Sequence, residues 1–401
     1  MLTVSQFSCI VRTGRISTYR DIPSIAPGGT GRVDKRRNPP ATLAGRRESQ
    51  TFIAVRESNL VPARRCSRPE RPLRIRRSPM KAIRVHQPGG PENMVYEDVP
   101  MPSVGQGQAL VKLRAIGVNY MDIYLRQGAQ RSTFPLIPGG EGAGVVEATG
   151  QGVTEVRVGD LVAYTGAGSS YAEHVVVPSW RLVKLPQGVD ASMGAASILQ
   201  GMTAHYLANS TYPLKAGDTC LVHAAAGGVG LLLVQMAKMR GARVIATVST
   251  SEKARLAASA GADEVVNYTE QDFEAEVKRI TGGKGCQVVY DAVGKATFDK
   301  SLASLAPRGL LALYGAASGP VPPLDINRLG GAMSLSLTRP SLTAYTATRE
   351  ELLLRAGELF SWIGSGKLKV RIEETFKLSS AVEAHQKLEG RLTAGKLLLV
   401  P

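Results

Sequence analysis

The 401-residue sequence predicts an α/β fold in which a doubly wound parallel sheet is joined to a compact, β-rich, barrel-like domain. Three observations carry that expectation. A strand, a glycine turn, a helix and a second strand follow one another between Asp218 and Lys253. Strand-and-helix units then repeat to about residue 340, and residues 80–180 read as short β-runs broken by glycine and proline.

Thr219 to His223 form a short apolar run. Val229, Leu232, Leu233, Met236 and Ala237 then recur at i, i+3, i+4, i+7 and i+8, the period of a helix. Between the two lies Ala225-Ala226-Gly227-Gly228-Val229-Gly230. There Gly227 lets backbone approach a pyrophosphate, Gly230 lets the helix pack on the sheet, and the helix N-terminus faces the phosphates. Ala225 replaces the first glycine of G-x-G-x-x-G, and an ordinary strand-to-helix turn is the plain alternative. Gly241, placed to cap the helix, and a second parallel strand at Ala242 to Val248 favour a nucleotide site.

The second strand bears on which nucleotide. An NAD site carries Asp or Glu about 20 residues after the glycines to hold the ribose 2′-hydroxyl. Here the chain reads Val248-Ser249-Thr250-Ser251-Glu252-Lys253, with hydroxyls first and a cation four residues on. Ser249 and Lys253 suit a 2′-phosphate, which favours NADPH. The alternative makes Ser249 a helix N-cap and Lys253 a solvated charge.

Charge is unevenly spread. Residues 1–79 carry 16 Arg and 1 Lys against 5 acids, a net of +12 out of +16, so the remainder is only +4. No nucleic-acid or membrane partner follows from the overall pI, and no run of 18 apolar residues is present to span a bilayer. The Arg- and Pro-rich segment has no period and is expected to be disordered. It fits three descriptions: an organelle transit peptide (mitochondrion or plastid), an RNA-binding extension, or sequence upstream of a true start at Met80. Cys9, Cys66, Cys220 and Cys286 show neither C-x-x-C nor metal-ligand spacing, which suggests a reducing compartment such as the cytoplasm.

In chain order, β-runs are expected at Ala82–Val85, Ala109–Val118, Ala143–Ala148, Leu161–Tyr164 and Glu173–Val177. Helical periodicity follows at Ala191–Asn209, and then the βα units of the sheet. Beyond Arg339-Pro340 come a long amphipathic helix near Glu350–Ile363, a helix near Ser379–Leu388 and a last strand at Lys396–Val400. The expected divisions are an extension at 1–79, a catalytic β-rich domain at 80–202, a nucleotide domain at 203–340, and a return to the catalytic domain at 341–401.

The run Gly117-Val118-Asn119-Tyr120-Met121-Asp122-Ile123-Tyr124-Leu125-Arg126-Gln127-Gly128 carries more polar groups than packing needs. With GGEGAG at Gly139 to Gly144, QGMTAHYL at Gln200 to Leu207, HAAAGGVG, Asn267-Tyr268, YDAVG at Tyr290 to Gly294 and LTRPSL at Leu337 to Leu342, it resembles one family. From Met80 onward the chain is similar to the zinc-independent medium-chain dehydrogenases/reductases, most of all the NADPH:quinone oxidoreductases related to zeta-crystallin. The resemblance implies a Rossmann domain, a GroES-like catalytic domain, NADPH as cofactor and a homodimer.

Zinc-using relatives place Cys where Asn119 stands and His where Gly140 stands, and a site without those ligand types argues for chemistry without metal. An alcohol must lose a proton before giving hydride. A quinone or enone accepts hydride at an electron-poor carbon and asks only for a hydrogen-bond donor on its oxygen. The implied activity is therefore reduction of quinones or other α,β-unsaturated carbonyls. An enoyl-thioester reductase and a non-catalytic, crystallin-like or RNA-binding protein are the alternatives.

By resemblance, Asn119 sits beside the nicotinamide ribose and Tyr124 beside the substrate as the donor, the two being the catalytic candidates, and Thr203 and Tyr206 lie near the nicotinamide. Gly227, Gly228, Val229 and Gly230 hold the pyrophosphate, and Ser249, Lys253 and Tyr268 the 2′-phosphate region. Val293, Gly315, Ser318, Leu342 and Arg391 are further cofactor contacts. Plainer roles are available. Asn119 with Asp122 fits a helix cap, Asp122 to Arg126 an i, i+4 ion pair, Tyr124 core packing, Arg391 a surface charge and His223 a packed core group. Relatives often carry an aromatic shortly after the glycine equivalent to Gly128, where this chain has Ala129-Gln130; a wider or more polar substrate mouth follows.

Overall fold

The structure is a computed structural model that describes residues 78–129 and 132–401. The expectations for the N-terminal extension, Cys9, Cys66 and Gln130 lie outside the described residues. The β-rich lobe begins with the antiparallel ribbon β1 (Met80–Val85) and β2 (Met94–Val99). It continues through β3 (Gln108–Val118), α1 (Tyr120–Arg126), β4 (Glu141–Thr149), β5 (Leu161–Thr165), β6 (His174–Pro178) and β7 (Val183–Lys184). The long helix α2 (Ala191–Tyr206) follows, capped by the Asp190 carboxylate accepting from the Met193 N–H at 2.7 Å.

The parallel lobe is built from β8 (Thr219–Val222), α3 (Gly228–Met239), β9 (Arg243–Val248), α4 (Ser251–Ser259), β10 (Glu264–Asn267) and α5 (Phe273–Ile280). It is completed by β11 (Cys286–Asp291), α6 (Phe298–Ala303), β12 (Leu305–Leu313) and β13 (Ser336–Thr338). The chain then forms α7 (Arg349–Gly364), β14 (Ile372–Lys377), α8 (Ala381–Glu389) and β15 (Lys396–Val400).

Six strands pair in parallel in the order β10-β9-β8-β11-β12-β13, so the direction of winding reverses between β8 and β11. Alternation along each strand explains the two covered faces. Cys220 and Val222 of β8, with Val244, Ala246 and Val248 of β9, join the core that holds α2 and α3. Leu221 and Ile245 point the other way and join Phe273, Val277, Phe298 and Leu302 of α5 and α6. Each such fully buried aliphatic contributes roughly 1.5–3 kcal/mol.

The second sheet has seven strands, ordered β14-β15-β3-β4-β5-β7 with β6 branching from β3. Its last strands return from the far end of the chain: β15 pairs antiparallel with β3, matching Leu398 to Gly117. That pairing puts Lys396, at the start of β15, one step beyond the end of β3, where Asn119 opens α1. Two neighbouring strands of this sheet therefore deliver polar residues to the same end.

Expected and observed strand limits agree to within a few residues, and β2, β7, β13 and β14 had no expectation at all. Thr250, not Ser249, caps α4, its hydroxyl accepting from Lys253 N–H at 3.2 Å. His223 is a packed core group, bonded through Nδ1 to Thr247 and through Nε2 to Ser301. Cys220 and Cys286 are buried free thiols in β8 and β11.

Candidate active site

The turn from β8 to α3 lies at the reversal of strand order, where the strand ends of an open α/β sheet leave a crevice. Two of its glycines are required by close approach. A Cβ on Gly230 would stand 2.3 Å from the Ala224 carbonyl, and one on Gly228 would stand 1.9 Å from Gln200 Oε1. Gly227 opens the helix as its N-cap, and Val229 follows in the first turn. The bare first turn of this twelve-residue helix fits a pyrophosphate, because its N–H groups and dipole both favour an anion. The turn is also tied to the other sheet: the Gly395 N–H donates to the Ala226 carbonyl at 2.9 Å.

Next to that tie lies a buried polar network. Lys396 is 1% exposed and Glu141 fully buried, and the two form an ion pair. Glu141 also accepts from the Leu199 N–H at 3.0 Å and from Asn119 Nδ2 at 2.8 Å. Asn119 Oδ1 accepts from Lys396 Nζ at 2.9 Å and from Gln200 Nε2 at 3.3 Å. Both polar atoms of the Asn119 side chain are thus engaged within the protein. Gln200 Oε1 is buried and has no partner. Thr203, one turn further along α2, donates its hydroxyl to the Leu199 carbonyl at 2.8 Å.

A second group forms at the end of β9. Lys253 Nζ donates to the Arg391 carbonyl at 2.6 Å, and burial followed by the Arg391 charge holds the Lys253 ammonium below its usual range. Burial raises the Tyr120 phenol, and the charge of Arg391 and the presence of Tyr268 are both felt there. Ser249 is half-buried at the end of the strand, its carbonyl accepting from Thr269. Lys253, Arg391 and Tyr268 therefore come together as two cations and a phenol, and like charges held close favour a bound anion.

The third group closes the mouth. The Tyr124 phenol, half-buried on α1, is raised by burial, with the Ala316 backbone of the parallel lobe opposing the rise. Its ring centroid is 6.3 Å from that of Tyr120. Asp291, fully buried at the end of β11, accepts from the N–H groups of Val293 at 2.7 Å and Gly294 at 3.0 Å. Ser318 locks the neighbouring loop, its hydroxyl donating to the Val293 carbonyl at 2.7 Å. Gly315 sits so near that a Cβ would stand 2.3 Å from the Ala292 carbonyl.

Tyr206 stands apart: it is 2% exposed and its ring is stacked on Tyr345 at 4.3 Å. Leu342 adjoins that stack, its carbonyl accepting from the Tyr345 N–H at 3.1 Å.

The expected Asp122–Arg126 ion pair is corrected by the structure. Arg126 instead donates to both oxygens of Glu389, at 2.6 and 3.1 Å. Asp122 Oδ2 accepts from the Asn119 N–H at 2.9 Å and the Tyr171 hydroxyl at 3.2 Å. The cause is burial: a fully enclosed carboxyl is driven toward its neutral form, which leaves Arg126 to a partner nearer water.

Sequence reasoning passed over Glu141, Gln200, Lys396 and Asp291 as individuals. The signal that could have found two of them is a charge within an apolar strand, as in Lys396-Leu397-Leu398-Leu399-Val400 and at Glu141 opening β4. Among the described residues no three or more His, Cys, Asp or Glu side chains gather as a metal would need.

A dinucleotide cleft met at its open end by a helix from a separate β-rich lobe defines a two-lobed dehydrogenase or reductase. Residues 105–187 match the family described as alcohol dehydrogenase GroES-like domain, and 228–355 match the zinc-binding dehydrogenase family. A quinone oxidoreductase of Pseudomonas aeruginosa is 45% identical over 323 residues, 80% of this chain and 99% of the relative. A 2-haloacrylate reductase of a Burkholderia species is 42% identical, covering 79% of this chain and 98% of its own. The crystal structure of an Escherichia coli quinone oxidoreductase complexed with NADPH superposes with a TM-score of 0.78 at 40% identity, covering 80% of this chain and all of that one. The chain belongs to the zeta-crystallin-like quinone oxidoreductase family of medium-chain dehydrogenases/reductases.

Proposed function

We propose that this protein reduces quinones and related α,β-unsaturated carbonyls with NADPH. The observation that carries the choice of cofactor is the meeting of Lys253 and Arg391 beyond β9, where Ser249 and Thr250, and not an acid, directly follow the last residue of the strand. The similarity to a quinone oxidoreductase and to a 2-haloacrylate reductase supports an electron-poor carbon as the acceptor. When bound, NADPH supplies hydride.

The chain's own residues then have three tasks. The α3 N-terminus and Gly227 to Gly230 cradle the pyrophosphate, while Lys253 and Arg391 meet the 2′-phosphate, with Ser249 and Tyr268 beside them. Val293, Gly315, Ser318 and Leu342 line the loops above the sheet, and Thr203 and Tyr206 belong to the wall formed by α2. Tyr124 donates to the acceptor oxygen as negative charge arrives there. Its raised pKa keeps the phenol protonated at neutral pH, so it serves as a donor without titrating. Asn119, engaged on both polar atoms, positions its neighbours and does not touch the reacting atoms.

In this proposal residues 80–202 and 341–401 form the catalytic part and 203–340 the cofactor part, with α2 running unbroken across the division. A homodimer rests on family resemblance, and a cytoplasmic setting on the cysteine pattern. Among the described residues, no helix is long and apolar enough to cross a membrane. Calorimetric titration with NADPH and NADH tests the cofactor choice: NADPH binds more tightly if the assignment holds, and equal affinity overturns it.

A further inference from the structure

Two side-chain amides lie in series between the buried cation and the glycine turn, and their orientation follows from chemistry alone. An ammonium only donates, so the Asn119 atom facing Lys396 is its oxygen. The Asn119 nitrogen is then turned to the Glu141 carboxylate, which only accepts. Because Asn119 presents oxygen on its other side too, Gln200 must approach it with its nitrogen, at 3.3 Å. That leaves Gln200 Oε1 directed at Gly228, in the first turn of α3, buried and without a partner in the protein. A buried acceptor left unpaired costs about 1–3 kcal/mol, so the site is built to receive a donor.

We infer that Gln200 is a cofactor-binding residue whose Oε1 accepts from a hydroxyl of the nicotinamide-side ribose, and that Lys396, acting through Asn119, is the positioning residue that keeps this acceptor turned to the first turn of α3. The ribose is the group next to the pyrophosphate on the nicotinamide side, and Gly228 marks the pyrophosphate end of the turn. A hydroxyl both reaches an acceptor there and carries no charge to disturb the neighbouring Glu141–Lys396 pair. The inference rests on the cofactor lying over the glycine turn, and wild-type binding of both halves of NADPH checks that placement separately.

The test divides the cofactor. Reduced nicotinamide mononucleotide and adenosine 2′,5′-bisphosphate are titrated separately into the wild-type, Gln200→Met and Lys396→Met proteins. Gln200→Met keeps the side-chain volume and removes the acceptor. It weakens the nicotinamide half about tenfold, which corresponds to roughly 1.4 kcal/mol, and leaves the adenosine half unchanged. Retained adenosine-half binding shows that each variant is folded. Lys396→Met, which frees both amides to turn, gives a selective loss in the same direction. Unchanged binding of the mononucleotide to Gln200→Met, or equal weakening of the two halves, overturns the inference. So does a penalty that vanishes with the reduced acetylpyridine mononucleotide, which lacks the carboxamide N–H, since the donor is then not the ribose.

Discussion

The ammonium of Lys253, in the first turn of α4, donates to the main-chain carbonyl of Arg391 at 2.6 Å, joining segments 138 residues apart in the chain. Held this way, its charge lies beside that of Arg391 at the end of β9. Half-buried Lys253 and exposed Arg391 repel each other until an anion separates them.

Replacing Lys253 with Ala is therefore expected to weaken NADPH by about 1.5–3 kcal/mol, the worth of a hydrogen bond to a charged group, with little effect on NADH. Comparing the two dissociation constants in wild type and variant checks it. An equal loss for both cofactors removes Lys253 from the 2′-phosphate site.

Lys396 and Glu141 make a buried ion pair, so removing one partner strands a charge in the interior. Lys396→Met should lower unfolding stability by about 3–5 kcal/mol. Adding Glu141→Leu should restore part of it, because the stranded carboxylate is gone. Urea unfolding of the single and double variants measures both. A double variant less stable than the single would mean that Glu141 serves its other donors more than Lys396.

Tyr171 links two buried groups with opposite titration behaviour, its hydroxyl lying 3.2 Å from Asp122 Oδ2 and 2.9 Å from His385 Nε2. Burial pushes Asp122 up from an ordinary 3.8 to about 7, against opposing bonds from the Asn119 N–H and the Lys396 charge. Burial, reinforced by Arg126, lowers His385 from 6.5 to about 3. The Asp122 contribution to stability is complete below 3.8 and is lost as pH rises through about 7. The His385 contribution is complete above 6.5 and is lost as pH falls through about 3. In the shared window the two slopes oppose, each integrating to something on the order of 4 kcal/mol. Asp122→Asn should thus uncover a rise in stability between pH 3.8 and 6.5 that the wild type masks. Denaturant midpoints across that range decide it, and a variant whose stability falls with pH contradicts the assignment.

Tyr124→Phe should slow enone reduction by about 10²-fold, the usual consequence of removing one preorganised donor to a developing oxyanion. Quinone reduction should suffer less, because a quinone is the stronger electrophile. NADPH affinity should hardly change. Wild-type rates with both acceptors would leave Tyr124 a packing residue.

Much of this was legible from local pattern. The glycine turn announced itself because a tight strand-to-helix connection and a 3.6-residue period sit side by side in the sequence, and both appear as β8 and α3. The end of β9 was legible for the same reason. Long-range partners were not. Arg126 looked like the partner of Asp122 four residues away, but its carboxylate lies 263 residues along at Glu389. Likewise nothing near Glu141 reveals Lys396, whose meeting depends on β15 returning to pair with β3. The register of that pairing is a tertiary property, and Gln200 acquires its meaning only through it.

The most direct test of the central claim is steady-state loss of NADPH absorbance with a panel of quinones, short enones and an enoyl thioester, using the full chain. Turnover of quinones and enones with NADPH, far slower turnover with NADH, and little with the thioester is the predicted result. Tight NADPH binding with no turnover of any acceptor would contradict it and leave a nucleotide-binding protein without this chemistry.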